Sequence, residues 1–147
     1  MEEIMNVLML LKPKSEIEYL LDTCTLRQAL EKMRAHSYTA IPVISKEGLY
    51  VGSVSEGDFL WHIVEHAKQI DDINKCENYK IKDILRTEYI PAVTINVDMG
   101  TLIKRAEHQN YIPVTDDRGF FIGIVTRGRI IETFCSTQNA KKTVVEA

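Results

Sequence analysis

Ser55 and Asp58 stand three residues apart, just after an apolar run that contains Gly52 and Val54. A hydroxyl and a carboxylate at that spacing suit a phosphorylated ligand if a strand ends and a helix begins there. A helix N-terminus offers free N–H groups and partial positive charge to an anion. The hydroxyl adds a hydrogen bond to the phosphate, and the carboxylate accepts from a ribose diol. A purely structural use is also open, with Ser55 capping the helix and Asp58 complementing its dipole. A second heptad, from Gly123 through Thr126, Arg127 and Arg129, keeps the hydroxyl but carries an arginine in place of the acid. A ribose acceptor is lost there, and two guanidiniums able to grip phosphate oxygens are gained. One site is thus expected to read ribose and the other to favour anionic oxygens.

These heptads close a longer repeat. Pro42, Val43, Gly48, Gly52, Val54, Ser55 and Gly57 match Pro113, Val114, Gly119, Gly123, Val125, Thr126 and Gly128 at a constant offset of 71 residues. One ungapped register implies two similar half-structures facing each other across a cleft, which points to binding before catalysis. Thr25 reads as the N-cap of a helix carrying Leu26, Ala29, Leu30 and Met33 at helical spacing, and Asp98 caps its counterpart with Met99, Leu102, Ile103 and Ala106. Ala40–Ile44 and Leu49–Val54 read as strands around a Lys46–Gly48 turn, as do Tyr111–Thr115 and Phe120–Val125 around Asp116–Gly119. Ser55 opens a helix to about Ala67. Thr126 opens a last helix through Phe134, before a polar, frayed tail from Ser136. A helix over Glu2–Leu11, a strand over Ile17–Leu21, a short helix over Ile81–Leu85 and a strand over Ala92–Ile95 complete the halves. The polar stretch Lys68–Tyr79 links them. The expected division is a first repeat with its N-terminal helix over residues 1–75, a second over 76–136, and a tail over 137–147.

At 147 residues the chain is one domain's worth, and halves of roughly 70 residues are expected to share a core. An apolar fraction of 45% with 27% charged residues fits a globular chain rather than a disordered one. The net charge of −3 exerts no general pull toward nucleic acid or anionic lipid, so neither is an expected partner. The longest dense apolar run, Val7–Leu11, falls far short of the roughly 20 residues a membrane span needs. The start at Met1, Glu2 and Glu3 lacks the basic region of a secretory signal. Cys24, Cys76 and Cys135 form no C-x-x-C pair and fit reduced thiols, hence a cytoplasmic location.

His62, Glu65 and His66 spell H-x-x-E-H, a zinc-peptidase signature. The helix is short, no third ligand is evident and the second half has no counterpart, so a solvated helix face is the preferred reading. No metal and no catalytic residue are assigned, and Trp61 reads as a packing or dimer residue.

With the repeat and its motifs in place, the chain resembles a pair of cystathionine-β-synthase-type (CBS) domains, a Bateman module. The resemblance spans Val7 to Phe134. It rests on the segments Tyr38 to Val43 and Asn110 to Val114, each followed by a G-x-x-[S/T] heptad. The fold implied is α/β, a tandem CBS domain pair with two β-α-β-β-α halves and pseudo-twofold symmetry. The resemblance carries phosphate and ribose contacts onto Ser55 and Asp58, and a phosphate contact onto Thr126. Adenine would lie against Tyr38, Thr39, Ala40, Ile41 and Pro42, with Thr23 and Cys24, in the first site. In the second it would lie against Tyr111, Ile112 and Pro113, with Thr94 and Ile95. Arg127 suits a ligand with two phosphates, whereas Arg129 departs from the family pattern and puts ribose binding there in doubt.

Some segments are also similar to small stand-alone bacterial CBS proteins that bind cyclic di-AMP. The function implied is regulation without catalysis. An adenine nucleotide (AMP, ADP, ATP or cyclic di-AMP, with or without magnesium) would be a regulatory ligand rather than a cofactor. The implied partners are a second copy in a homodimer and a separate effector protein. The alternative is a structural or interaction module with empty clefts.

Overall fold

The computed structural model describes residues 6–65, 79–86 and 89–146. The expected helical start over residues 2–5, the link over 68–78, His66, Ala67 and Cys76 lie outside them. In chain order the elements are α1 (Val7–Leu10), β1 (Lys12–Pro13), a 3-10 turn (Lys14–Glu16), β2 (Leu20–Leu21), α2 (Leu26–His36), β3 (Ala40–Ile44), β4 (Tyr50–Ser55) and α3 (Glu56–Glu65). A second 3-10 turn (Ile81–Asp83), β5 (Val93–Thr94), α4 (Met99–His108), β6 (Tyr111–Thr115), β7 (Phe121–Thr126) and α5 (Arg127–Glu146) follow.

Two compact units result, Glu18–Pro91 and Met1–Ile17 with Ala92–Ala147. The first holds a sheet ordered β2-β3-β4, with β2 parallel to β3 and β3 antiparallel to β4. The other is ordered β1-β7-β6-β5, with β5 parallel to β6 and both remaining pairs antiparallel. The repeat extends to an irregularity: the hairpin register shifts between Val43 and Ile44 and again between Val114 and Thr115.

Capping sets where the helices start. Thr25 Oγ1 accepts from the Gln28 N–H at 3.1 Å while Gln28 Oε1 accepts from the Thr25 N–H at 3.0 Å, a reciprocal box. Ser37, at φ 56°, ends α2 in the left-handed region. Asp98 Oδ1 accepts from the Thr101 N–H at 2.8 Å and starts α4. Leu26, Ala29 and Met33 are buried as their spacing demands, whereas Leu30 remains 38% exposed.

Each unit has its own buried cluster, where a shared core was expected. Leu20, Leu26, Ala29, Met33, Ile41, Val43, Val54, Phe59 and Ile81 form one. Val7, Leu10, Val93, Leu102, Ala106, Ile112, Val114, Val125 and Ile130 form the other. Exchange of short segments makes this possible. The chain's first residues complete the later sheet, with Lys12 opposite Ile124 and Pro13 opposite Gly123. In the unit Glu18–Pro91, Ile81 joins the core and Arg86 bridges Ser53. The repeated glycines Gly52 and Gly123 leave room for these crossings. A Cβ on Gly52 would lie 3.0 Å from the Arg86 carbonyl oxygen, and one on Gly123 would collide with that of Lys12.

Some elements differ from expectation. Strands β2 and β5 are two residues each, and Ile81–Asp83 is a 3-10 turn, not an α-helix. Helix α5 continues to Glu146 instead of fraying from Ser136. Gly128 is the one strong helix breaker in this segment, it lies at the helix start, and no proline interrupts the rest.

Candidate functional site

In both units the strand pairing builds a corner where the hairpin's second strand turns into a helix. Ala40 lies opposite Ser55, and Tyr111 lies opposite Thr126. The first helical N–H of each corner is tied to the strand beside it: Glu56 donates to the Thr39 carbonyl at 3.0 Å, and Arg127 to the Asn110 carbonyl at 2.9 Å. Thr39, Ala40, Ser55 and Asp58 are thereby brought together in one unit. Tyr111, Thr126 and Arg129 are brought together in the other.

The two corners differ in charge. Asp58, whose side chain is only 6% exposed, receives the Ser55 N–H on Oδ2 at 2.8 Å and the Ser55 hydroxyl at 3.1 Å. Its Oδ1 meets Arg86 Nε at 2.6 Å. The Ser55 hydroxyl therefore donates to Asp58, where a helix cap was one expectation. Thr126 does cap: its Oγ1 accepts from the Arg129 N–H at 3.1 Å. Arg129 reaches Glu132 at 3.8 Å, both well exposed, which is a weak pair. Arg127 Nε donates to the Ala106 carbonyl at 2.6 Å, so this guanidinium caps the last turn of α4. That contact was not foreseen, because the partner is a main-chain atom.

Other expected site residues are placed elsewhere. The side chains of Ile41 and Ile112 are fully buried within the two cores, leaving only their main chains to a ligand. Pro42 and Pro113 are buried too. Tyr38 packs on its own core and stacks on His36, with ring centroids 5.5 Å apart. Parallel pairing sets Leu21 beside Ile44 and Thr94 beside Thr115. Thr23, Cys24, Thr94 and Ile95 therefore lie at the opposite strand ends from Ser55 and Thr126, about 10–15 Å along the sheet. Cys24 instead lines a cavity of about 400 Å³ with Tyr19, Gln28 and Lys32. Burial raises its thiol pKa above the ordinary value.

Asp58 also lines a cavity of about 520 Å³ with Trp61, His62, Glu65, Tyr79, Asp83 and Arg86. His62 of the H-x-x-E-H run is buried there and meets Tyr79 edge-on at 4.5 Å between ring centroids. Among the described residues no three His, Cys, Asp or Glu side chains group as a metal site. Arg86 was missed by sequence reasoning. No local signal marks it: the strand register sets Arg86 opposite Ser53 and Lys12 opposite Ile124, so each unit carries a cation at that position.

The family model described as CBS domain matches residues 8–65 and again 81–135. The chain belongs to the CBS-domain family. An uncharacterised protein of Methanocaldococcus jannaschii is 28% identical, with 67% of this chain and 74% of that protein covered. A homoserine O-acetyltransferase of Methanococcus vannielii is also 28% identical, but this CBS-domain chain spans only 21% of its length. Among solved structures, CbpB in complex with c-di-AMP superposes with a TM-score of 0.86 at 20% identity, covering 95% of this chain and 91% of that one. CBSX2 in complex with AMP gives a TM-score of 0.73 at 21% identity, covering 90% and 98%. At these identities the likeness shows the fold, α/β with two CBS repeats. No helix among the described residues is long and apolar enough to cross a membrane.

Proposed function

We propose that this CBS module senses an adenine nucleotide without turning it over and passes the signal to a separate protein. The observation that carries the reading is the buried Asp58 carboxylate, held in the first turn of α3 beside the Ser55 hydroxyl and a cavity of about 520 Å³. A buried, aligned carboxylate suits a ribose diol, and a helix N-terminus suits phosphate. The CbpB and CBSX2 structures, in complex with c-di-AMP and AMP respectively, support the ligand class. The Thr126 corner, with Arg129 in place of the acid, favours a more anionic ligand of its own.

The ligand is AMP, ADP, ATP or cyclic di-AMP, and a triphosphate would bring magnesium with it. By preferring one conformation the ligand shifts that population and alters the surface offered to the effector. The module acts in the cytoplasm as a homodimer. Support for a dimer is the apolar face of α3, where Leu60, Trp61, Ile63 and Val64 are 54–66% exposed, and Ile131 and Phe134 on α5.

A second reading, an interaction module that binds no nucleotide, is favoured by one observation: Ser55 and Arg86 already occupy both oxygens of Asp58. A thermal-shift panel of AMP, ADP, ATP, S-adenosylmethionine, cyclic di-AMP and GTP, with and without magnesium, separates the two. A ligand present at a hundred times its Kd adds about 2.7 kcal/mol. A shift selective for one adenine ligand supports the sensor. A flat panel on folded protein rejects it in favour of the interaction module.

A further inference from the structure

We propose that Arg86 determines the specificity of the Asp58 corner by exchange: it holds the carboxylate while the corner is empty and moves to the phosphate when a ribose takes the carboxylate. This rests on the nucleotide-sensing reading and adds a residue and a selection rule to it. Asp58 already uses three of the four acceptor positions of its carboxylate. Oδ2 accepts the N–H and the hydroxyl of Ser55 at 2.8 and 3.1 Å, and Oδ1 accepts from Arg86 at 2.6 Å. A ribose diol donates two hydrogen bonds where one acceptor position is left, so it binds in full only by displacing one of them.

The Ser55 contacts are local to the helix start, and one is a main-chain N–H that would be left unpaired. Arg86 arrives from a separate segment and its side chain is 53% exposed, so water can take over its hydrogen bonds. Arg86 is therefore the partner that yields. Displacement does not carry it away. Its main chain is bridged to Ser53, and its guanidinium lies 4.0 Å over the Tyr89 ring. A guanidinium carries five donors and binds phosphate as readily as carboxylate. A nucleoside must break the ion pair uncompensated, whereas a nucleotide supplies the cation with a new anion. The Thr126 corner has no such exchange, because Arg129 stands where the acid would be and Lys12 takes the place of Arg86 in the strand register.

The test is calorimetric titration of adenosine, AMP and cyclic di-AMP into the full chain and its Arg86→Gln variant. The wild type should prefer a phosphorylated ligand to adenosine by about tenfold or more, as charge-assisted bonds do. In Arg86→Gln adenosine should bind several-fold tighter and the phosphorylated ligand more weakly, so that the preference collapses. An unchanged preference overturns the exchange while leaving the nucleotide reading standing. A ligand-independent arm follows the Arg86 Nε–H by NMR in the ligand-free protein. A slowly exchanging signal that is lost in Asp58→Ala supports the ion pair, and its absence from the wild type overturns it. A wild type with that signal intact that binds none of the three ligands, nor ADP or ATP with magnesium, rejects the nucleotide reading, and the exchange falls with it.

Discussion

Asp58 is held by the fold and is also the residue proposed to bind ligand. Asp58→Ala removes the proposed ribose acceptor and leaves the Ser55 N–H without its partner. Adenine-nucleotide affinity should fall about tenfold and stability by about 1–2 kcal/mol, as expected for a lost charged hydrogen bond; titration and denaturant melts read the two effects separately. Unchanged affinity in a folded variant would remove Asp58 from the site. Asp98 is a simpler case. The side-chain and then the main-chain hydrogen bonds of Thr101 hold its carboxyl below the ordinary carboxylate range. A pKa lower in the folded than in the unfolded state contributes stability above the unfolded value, which is lost as pH falls through the folded one. Asp98→Asn keeps an N-cap and should flatten the acid side of the melting temperature against pH. Asp98→Ala should lower the melting temperature at neutral pH as well. At Cys24, burial raises the thiol pKa, whereas Cys135 is exposed. With the thiolate as the reactive form, Cys24 should alkylate about tenfold more slowly than Cys135 at neutral pH. Peptide mass spectrometry distinguishes them, and equal rates would contradict the burial of Cys24.

At the scale of elements, the paired glycines separate two degrees of the same constraint. A methyl group on Gly123 meets the Lys12 carbonyl oxygen, a main-chain atom that cannot step aside without breaking the β1–β7 pairing. On Gly52 the nearest atoms are the Arg86 carbonyl oxygen and a Leu85 side-chain carbon, both at 3.0 Å, where small shifts suffice. Gly123→Ala should destabilise by about 3 kcal/mol and Gly52→Ala by about 1 kcal/mol, within the range for overpacking. Denaturant melts of the two variants test the order. Equal losses would mean that glycine is kept at both positions for something other than the crossing segment.

For the whole molecule, the partition into units makes an unusual demand on the N-terminus. Val7 and Leu10 belong to the core of the unit that contains residues 92–147, and β1 covers an edge of its sheet. Removing residues 1–13 should therefore weaken β6 and β7, the elements remote in sequence, more than β3 and β4. Two buried aliphatic side chains at about 1.5–3 kcal/mol each set the scale. Hydrogen exchange resolved by peptide would report lost protection over Phe121–Thr126, and equal loss in Tyr50–Ser55 would refute the partition. The proposed homodimer is tested by light scattering at micromolar concentration. A dimer mass that reverts to monomer in Trp61→Asp or Ile63→Asp supports the α3 face as the contact, and a monomeric wild type rules the dimer out.

The constant offset between the halves, the Thr25 and Asp98 caps and the strands around Pro42 and Pro113 were legible in the sequence, because repeats, caps and turns are local. So was the charge contrast between Asp58 and Arg129, which depends only on aligned positions. Tertiary structure alone decided what those residues meet. Arg86 reaches Asp58 through a strand bridge to Ser53, and the Arg127 guanidinium closes on a carbonyl of α4. Parallel pairing carries Thr23, Cys24, Thr94 and Ile95 to the far ends of their sheets. Each depends on segments distant in sequence, and so does the exchange that joins residues 7–13 to the later sheet. Periodicity shows which face of an element is buried, but not which neighbour buries it.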